Sequence, residues 1–347
     1  MIPMPRLSRS PFLVCLLVSL LGLLPLSGAG ASVAVESDEE EREAALADGL
    51  HAALVRLAGL DSDAVRGLAD ELLEAADEEG LPAALERQRA REDGGYRLEF
   101  DRESLRRSLR DGAVPVLVGS RPSLLVWAVE ESAGRRDLLG TAGEDTGVLA
   151  GLEALAGERD MPLLFPLGDL EDRREARVSD IVGRVTEPLF EAARRYGPDG
   201  LILLHLRSAG GETRARSLLV HRNREYRAEA TAEDAPDAAR RATADALDRM
   251  GAQLARVPDE PDWVTVGFTG VSGFDDFRAL RAELGAMEAI ERVQLDTLSG
   301  AALTLRVLTG LDAEGLGDVL ADAGYAEDER AEEGEDLPEA ALWLDMR

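Results

Sequence analysis

The chain reads as a multi-module α+β and α/β protein. A helical-plus-strand N-terminal module is followed by a middle βαβ module with a small, mainly parallel sheet, and then by a C-terminal ferredoxin-like (βαββαβ) module. Three observations predict this. Apolar runs at residues 124–129, 162–167 and 201–206 are separated by helical patterns, as when buried parallel strands alternate with crossover helices. Pro258-Asp259-Glu260-Pro261 reads as a linker. Beyond it, strand and helix patterns follow in the order of a split βαβ.

The N-terminus carries Arg6 and Arg9 before an apolar run at residues 12–26, then small residues at Ala29-Gly30-Ala31 and Ser32-Val33-Ala34. That is the pattern of a secretory signal peptide, expected over residues 1–34, and the run is short for a membrane span of ~20 residues. A periplasmic or cell-envelope location follows, with no transmembrane span once the leader is cut; an uncleaved anchor is the alternative. Cys15 follows Val14 rather than the small residue of a lipoprotein box. Without the leader the chain has no cysteine, which excludes disulfide and thiol chemistry.

Charge speaks of habitat. There are 68 acidic residues against 39 basic ones, every one of them arginine, for a net charge of −29. Such a field repels nucleic acid and anionic lipid, so neither is an expected partner. The plain explanation is a halophilic, hydrated acidic surface with a GC-rich coding bias; selection for a basic partner is the other. The halophilic reading expects greater stability at molar than at low salt.

In order, the acids at residues 36–43 suit a helix start. Leu46, Leu50, Ala53, Leu54 and Leu57 then recur at helical spacing as far as Gly59. Ser62 or a neighbouring Asp caps a second helix bearing Val65, Leu68, Ala69, Leu72 and Leu73, which ends before Gly80. Residues 96–100 alternate like a strand, Asp101 caps a third helix with Leu105 and Leu109, and Gly112 closes it. This α-α-β-α block is the N-terminal module, residues 35–118.

The middle module spans 121–257. Its helices are expected around Val148–Leu155 positions, over 184–195 and over 236–255, with a hairpin of 215–220 against 225–230 after Gly210-Gly211. The C-terminal module, 262–347, has strands at 264–268, 293–297, 303–308 and 342–344, with helices at 275–284 and 314–320. An acidic loop at 327–339 precedes the last strand and reads as solvated.

Catalytic signatures are missing. There is no phosphate-binding loop with its lysine, no dinucleotide-binding glycine fingerprint, no zinc-protease helix motif and no serine elbow. No cofactor is implied. Three scattered histidines remain; His205 and His221 become neighbours only if the hairpin packs beside the third strand, and no third metal ligand is suggested. Polar groups concentrate where loops leave the carboxyl ends of the middle strands, the usual ligand position in an open parallel sheet. Those loops carry Glu130, Glu131, Arg135 and Arg136, then Asp169, Glu171, Asp172, Arg173 and Arg174 in a long 168–183 segment, then Arg207. With Arg121 at the module entry, the candidate binding residues are Arg121, Arg135, Asp169, Glu171, Asp172 and Arg207. The plainer reading is that Asp169 or Asp172 caps a short helix and the arginines pair with it. Trp127, Trp263 and Trp343 read as sheet packing.

Four short motifs carry a family resemblance: Leu54-Val55-Arg56-Leu57-Ala58-Gly59, Arg121-Pro122-Ser123-Leu124-Leu125-Val126-Trp127, Pro166-Leu167-Gly168-Asp169-Leu170-Glu171-Asp172 and Arg195-Tyr196-Gly197-Pro198-Asp199-Gly200. With the leader, they resemble an exported bacterial group catalogued as domain-of-unknown-function family 2066, over nearly the whole mature chain. The resemblance implies no activity, cofactor or catalytic residue. In element order alone the middle module resembles the N-terminal part of the Tol-system propeller protein. The expectation is an envelope binding or assembly module acting through an envelope protein partner. The alternatives are a periplasmic hydrolase using carboxylates of the 168–183 segment, or a small-ligand or cell-wall-fragment sensor.

Overall fold

The computed structural model describes residues 32–76, 80–118, 121–142, 147–271, 273–287, 289–300, 302–328 and 337–345. Residues 1–31 of the expected leader and 329–336 of the acidic loop lie outside the described residues.

The N-terminal module opens with β1 (Ser32–Ser37), then α1 (Arg42–Ala58), α2 (Asp63–Glu74), β2 (Leu85–Ala90), β3 (Tyr96–Asp101) and α3 (Arg102–Asp111). The strands pair antiparallel in the order β1-β3-β2. The α-α-β-α expectation therefore lacked two strands. β1 draws on residues that read as leader and helix approach, because Val33 and Val35 alternate inward to join Leu50, Leu54, Leu98 and Phe100 in one core. β2 is a polar edge strand with no periodicity to announce it. Both expected caps form: Ser62 Oγ accepts from Val65 N at 3.2 Å and Asp101 Oδ1 from Ser104 N at 2.8 Å.

The middle module follows β4 (Val116–Leu117). It comprises β5 (Leu124–Ser132), β6 (Arg135–Leu138), α4 (Val148–Arg159), β7 (Leu163–Leu164), the short helices α5 (Leu170–Glu175), α6 (Val178–Gly183) and α7 (Thr186–Ala193), then β8 (Gly200–Ala209), β9 (Glu212–His221), β10 (Arg224–Ala232) and α8 (Ala235–Leu254). The sheet runs β10-β9-β8-β5-β6, with β7 beside β5. Only the β5–β8 and β5–β7 ladders are parallel. The expected mainly parallel sheet is thus a mixed one. Tight turns at Ala133-Gly134 and Gly210-Gly211, all with positive φ, send the chain straight back and build hairpins on both sides of the parallel pair. The 162–167 run contributes just two paired residues because Pro162 and Pro166 bracket it without amide donors. The 168–183 segment is not an open loop but α5 and α6.

Two helical layers cover this sheet. α4 and α8 pack Leu152, Leu155, Leu247 and Met250 on Val126, Ile202, Leu204 and Leu219. On the other side α6 and α7 pack Ile181, Leu189 and Ala193 on Leu125, Trp127, Leu201 and Leu218.

The chain passes through β11 (Ala255–Arg256), which pairs with β4 and ties the module ends together. The C-terminal module then runs β12 (Asp262–Thr269), α9 (Phe274–Ala286), β13 (Ile290–Ser299), β14 (Ala302–Thr309), α10 (Ala313–Asp322), β15 (Ala326–Glu327) and β16 (Leu342–Asp345). Its sheet order is β13-β14-β12-β16-β15. Crossover helices keep strand direction and the hairpin reverses it, so the fourth strand of a split βαβ must run opposite to the first. β15 does so, but β16 runs parallel to β12 and is a fifth strand inserted between them. The expected fourth strand at 342–344 is therefore the fifth. Its side chains explain the insertion. Leu342 and Leu344 reach the helix-covered core, and Trp343 packs over Gly267, where a Cβ would lie 2.3 Å from the indole. Ala326 and Glu327 have nothing comparable to bury. Among the described residues no helix is long and apolar enough to cross a membrane.

Candidate functional site: an arginine-bearing sheet face

Strand register sorts the α6–α7 face of the middle sheet into rows. Leu125, Leu201 and Val220 form one row, and Trp127, Leu203 and Leu218 the next; both lie under the helices. Beyond them the row Leu138-Val129-His205-Arg216-Glu229 turns polar, and the outermost row is Arg136-Glu131-Arg207-Arg214-Thr231. The reason is in the sequence: the outer halves of β5, β8 and β9 replace aliphatic residues with charged ones at alternate positions.

Two carboxylates organise these rows. Glu131 Oε2 accepts from Arg136 Nε at 2.7 Å and lies 3.3 Å from His205 Nε2; its Oε1 is 3.7 Å from Arg207 Nε. The Arg136 guanidinium holds the Glu131 carboxyl below its ordinary range, with His205 adding to the effect. Burial pushes His205 down, against the pull of Glu131, so the ring is neutral at neutral pH. Glu229 is shared by Arg214 and by Arg216, whose Nε is 3.2 Å away. Arg207 and Arg214 stand directly opposite each other on neighbouring strands, an unfavourable pairing of like charges. Arg184, the left-handed C-cap of α6 at φ 58°, makes no ion pair among the described residues. Burial, and then Arg227 and Arg216, lower its pKa. Cations outnumber carboxylates on this face of a strongly acidic chain.

The six sequence-nominated residues do not converge. Arg207 belongs to the face just described. Arg135 sits in the β5–β6 hairpin, exposed and paired with Asp137 at 2.9 Å. Arg121 is a structural pin: its Nη2 donates to Arg56 O at 2.7 Å and its Nη1 to Arg159 O at 3.0 Å, joining the N-terminal and middle modules. Asp169, Glu171 and Asp172 do come together, around Arg195 and Tyr196. Asp169 caps α5, accepting from Asp172 N at 2.9 Å, and pairs with Arg195 Nη2 at 3.0 Å. Arg195 holds the Asp169 carboxyl below its usual range. Glu171 Oε2 is 3.2 Å from Arg195 Nη1. Asp172 is buried and accepts from Gly168 N at 2.7 Å and from the Tyr196 hydroxyl at 2.9 Å. Tyr196 itself accepts from Leu167 N at 3.0 Å. Asp169 caps α5, as the capping reading expected, but the arginine it pairs with is Arg195 of the turn after α7 rather than Arg173 or Arg174, and Asp172 binds the same turn through Tyr196.

His205 and His221 are not neighbours. His205 stands opposite Arg216, whereas His221 pairs with Gly200 at the other end of β8. Among the described residues no group of three His, Cys, Asp or Glu side chains is placed to hold a metal ion. The arginine face was missed in the sequence although its signal was present: Arg214 and Arg216 at alternate positions in one strand, and His205 with Arg207 in the next. No protein-family model, curated protein or solved structure matches the chain.

Proposed function

We propose that this is an exported, envelope-located binding or assembly module, of the kind the motif resemblance to domain-of-unknown-function family 2066 suggests. Its partner is an envelope protein presenting carboxylates. The carrying observation is the arginine-bearing outer half of the middle sheet, where Arg207, Arg214 and Arg216 lie on adjacent strands with more cations than the two organising carboxylates neutralise. Exposed arginines in a row confer salt-sensitive attraction and orientation more than raw affinity, which suits assembly. Contacts between the modules support a scaffold: the β4–β11 ladder, the Arg121 pin, the Arg110–Glu291 pair at 3.1 Å and the Arg222–Asp322 pair at 2.6 Å are among those that hold the modules as one presenting surface. The hydrolase alternative draws no support from Asp169 and Asp172, whose oxygens serve main-chain amides and Tyr196.

The test is affinity capture from envelope extract with the wild-type chain and with an Arg207→Glu/Arg214→Glu/Arg216→Glu variant of unchanged circular dichroism. A specific protein held by wild type, released as salt rises and lost by the variant supports the reading. The same set held by both chains overturns it.

A further inference from the structure

A second site lies away from the arginine face, between the middle and C-terminal modules. There an open cleft of about 680 Å³ separates the β9–β10 turn and the end of α8 from α10. Its volume is in the range that holds small ligands. The floor is apolar, with Leu117, Pro122, Leu254 and Val257 among its residues. The walls carry opposite charge. On the middle-module side are Arg224 and Arg256, and on the α10 side Glu314 and Asp318; Asp312, which caps α10, and Asp259 of the linker also line the cleft.

One ion pair closes the rim, Arg222 Nη1 to Asp322 Oδ1 at 2.6 Å. The inner charges are not paired in this way. Arg224 donates to the Gln253 side-chain oxygen at 3.2 Å, and Arg256 to the Ala255 carbonyl at 3.0 Å. Among the described residues neither arginine meets a carboxylate, and neither Glu314 nor Asp318 meets a cation. Opposite charges thus face each other across a gap without closing it. Between them His221 lines the cleft with 4% of its surface exposed and no side-chain hydrogen bond to another described residue.

We propose that this cleft binds a small zwitterion of the amino-acid or short-peptide class. The ligand carboxylate meets Arg224 and Arg256, its ammonium meets Glu314 and Asp318, and the amide of a peptide ligand reaches the His221 ring. The charge-assisted hydrogen bonds at each end set its direction, and the apolar floor accommodates small side chains. A ligand of single charge would satisfy one wall and leave the other as it is.

Isothermal titration of the purified chain with L-alanyl-L-alanine, its N-acetyl derivative and its C-terminal amide tests this. Saturable binding of the dipeptide is expected, with each blocked derivative weaker by about tenfold or more, the loss of one charge-assisted contact. Arg224→Gln and Asp318→Asn, both at exposed positions, should weaken the dipeptide by a similar factor while the thermal transition stays put. The Arg207→Glu/Arg214→Glu/Arg216→Glu chain should bind it as wild type does. No binding at millimolar dipeptide, or blocked derivatives that bind as well as the parent, would overturn the proposal.

Discussion

Asp172 offers the sharpest test of whether the 168–183 carboxylates are structural. Its side chain is 1% exposed, and its oxygens accept from the Gly168 amide at 2.7 Å and the Tyr196 hydroxyl at 2.9 Å. Asp172→Ala leaves two donors without an acceptor, the buried Gly168 amide and the half-buried Tyr196 hydroxyl. Each buried unsatisfied group costs ~1–3 kcal/mol, so the loss should be about 2–4 kcal/mol, moderated by whatever water enters the space. Tyr196→Phe removes a shared partner, and by itself deprives the Leu167 amide of its acceptor. The two effects should therefore be non-additive, with a coupling of roughly 1–2 kcal/mol in the double mutant. Urea unfolding followed by tryptophan emission is a suitable readout, because Trp127 stacks edge-on to Tyr196 at 6.4 Å. A shifted midpoint with unchanged slope is expected. If Asp172→Ala unfolds like wild type but loses a binding or hydrolytic activity, the structural assignment fails.

Other outcomes follow from particular residues. On the proposed export, N-terminal sequencing of the processed chain should read from Ser32, after Ala29-Gly30-Ala31, because cutting after Ala34 would remove half of β1 and take away the Ala34 carbonyl that accepts from Arg56 at 2.7 Å; a start at Val35 would contradict this. Burial lowers the folded-state pKa of both His205 and His221, so the unfolded chain binds more protons below its ordinary histidine pKa of ~6.5. Stability should fall as pH drops through that value and be intact above it, and His205→Gln/His221→Gln should flatten the slope; an unchanged slope would refute it. Gly267→Ala drives a Cβ into the Trp343 indole and should cost ~1–3 kcal/mol with a shift in tryptophan emission; wild-type stability would mean the indole packs elsewhere. Finally, a net charge of −29 predicts a midpoint that rises from low to molar salt as self-repulsion is screened, and a flat curve would remove the halophilic reading.

Much of the architecture was legible because it is local. The helical faces of α1, α2, α4 and α8, the caps at Ser62 and Asp101, and the hairpin of 215–220 against 225–230 each depend on spacings within a few residues. The candidate site was legible only as a list of charged residues near strand ends. Which of them meet depends on register: Arg207 faces Arg214 and Glu131, whereas Arg121, equally charged and close in sequence to β5, turns away to bind the carbonyls of Arg56 and Arg159.

The sequence by itself determined composition, sign of charge, the export-like leader pattern, a mixed α/β make-up and the lack of catalytic signatures, since these are properties of residues and short windows. Only the tertiary structure decided what long-range pairing decides. It made β1 a strand, because Val33 and Val35 find Leu98 and Phe100 far along the chain. It inserted β16 beside β12, because Gly267 leaves room for Trp343. It aligned the arginines of β8 and β9 into one face, and it set unpaired charges across the cleft from each other. In each case the outcome depends on segments whose separate sequences carry no trace of one another.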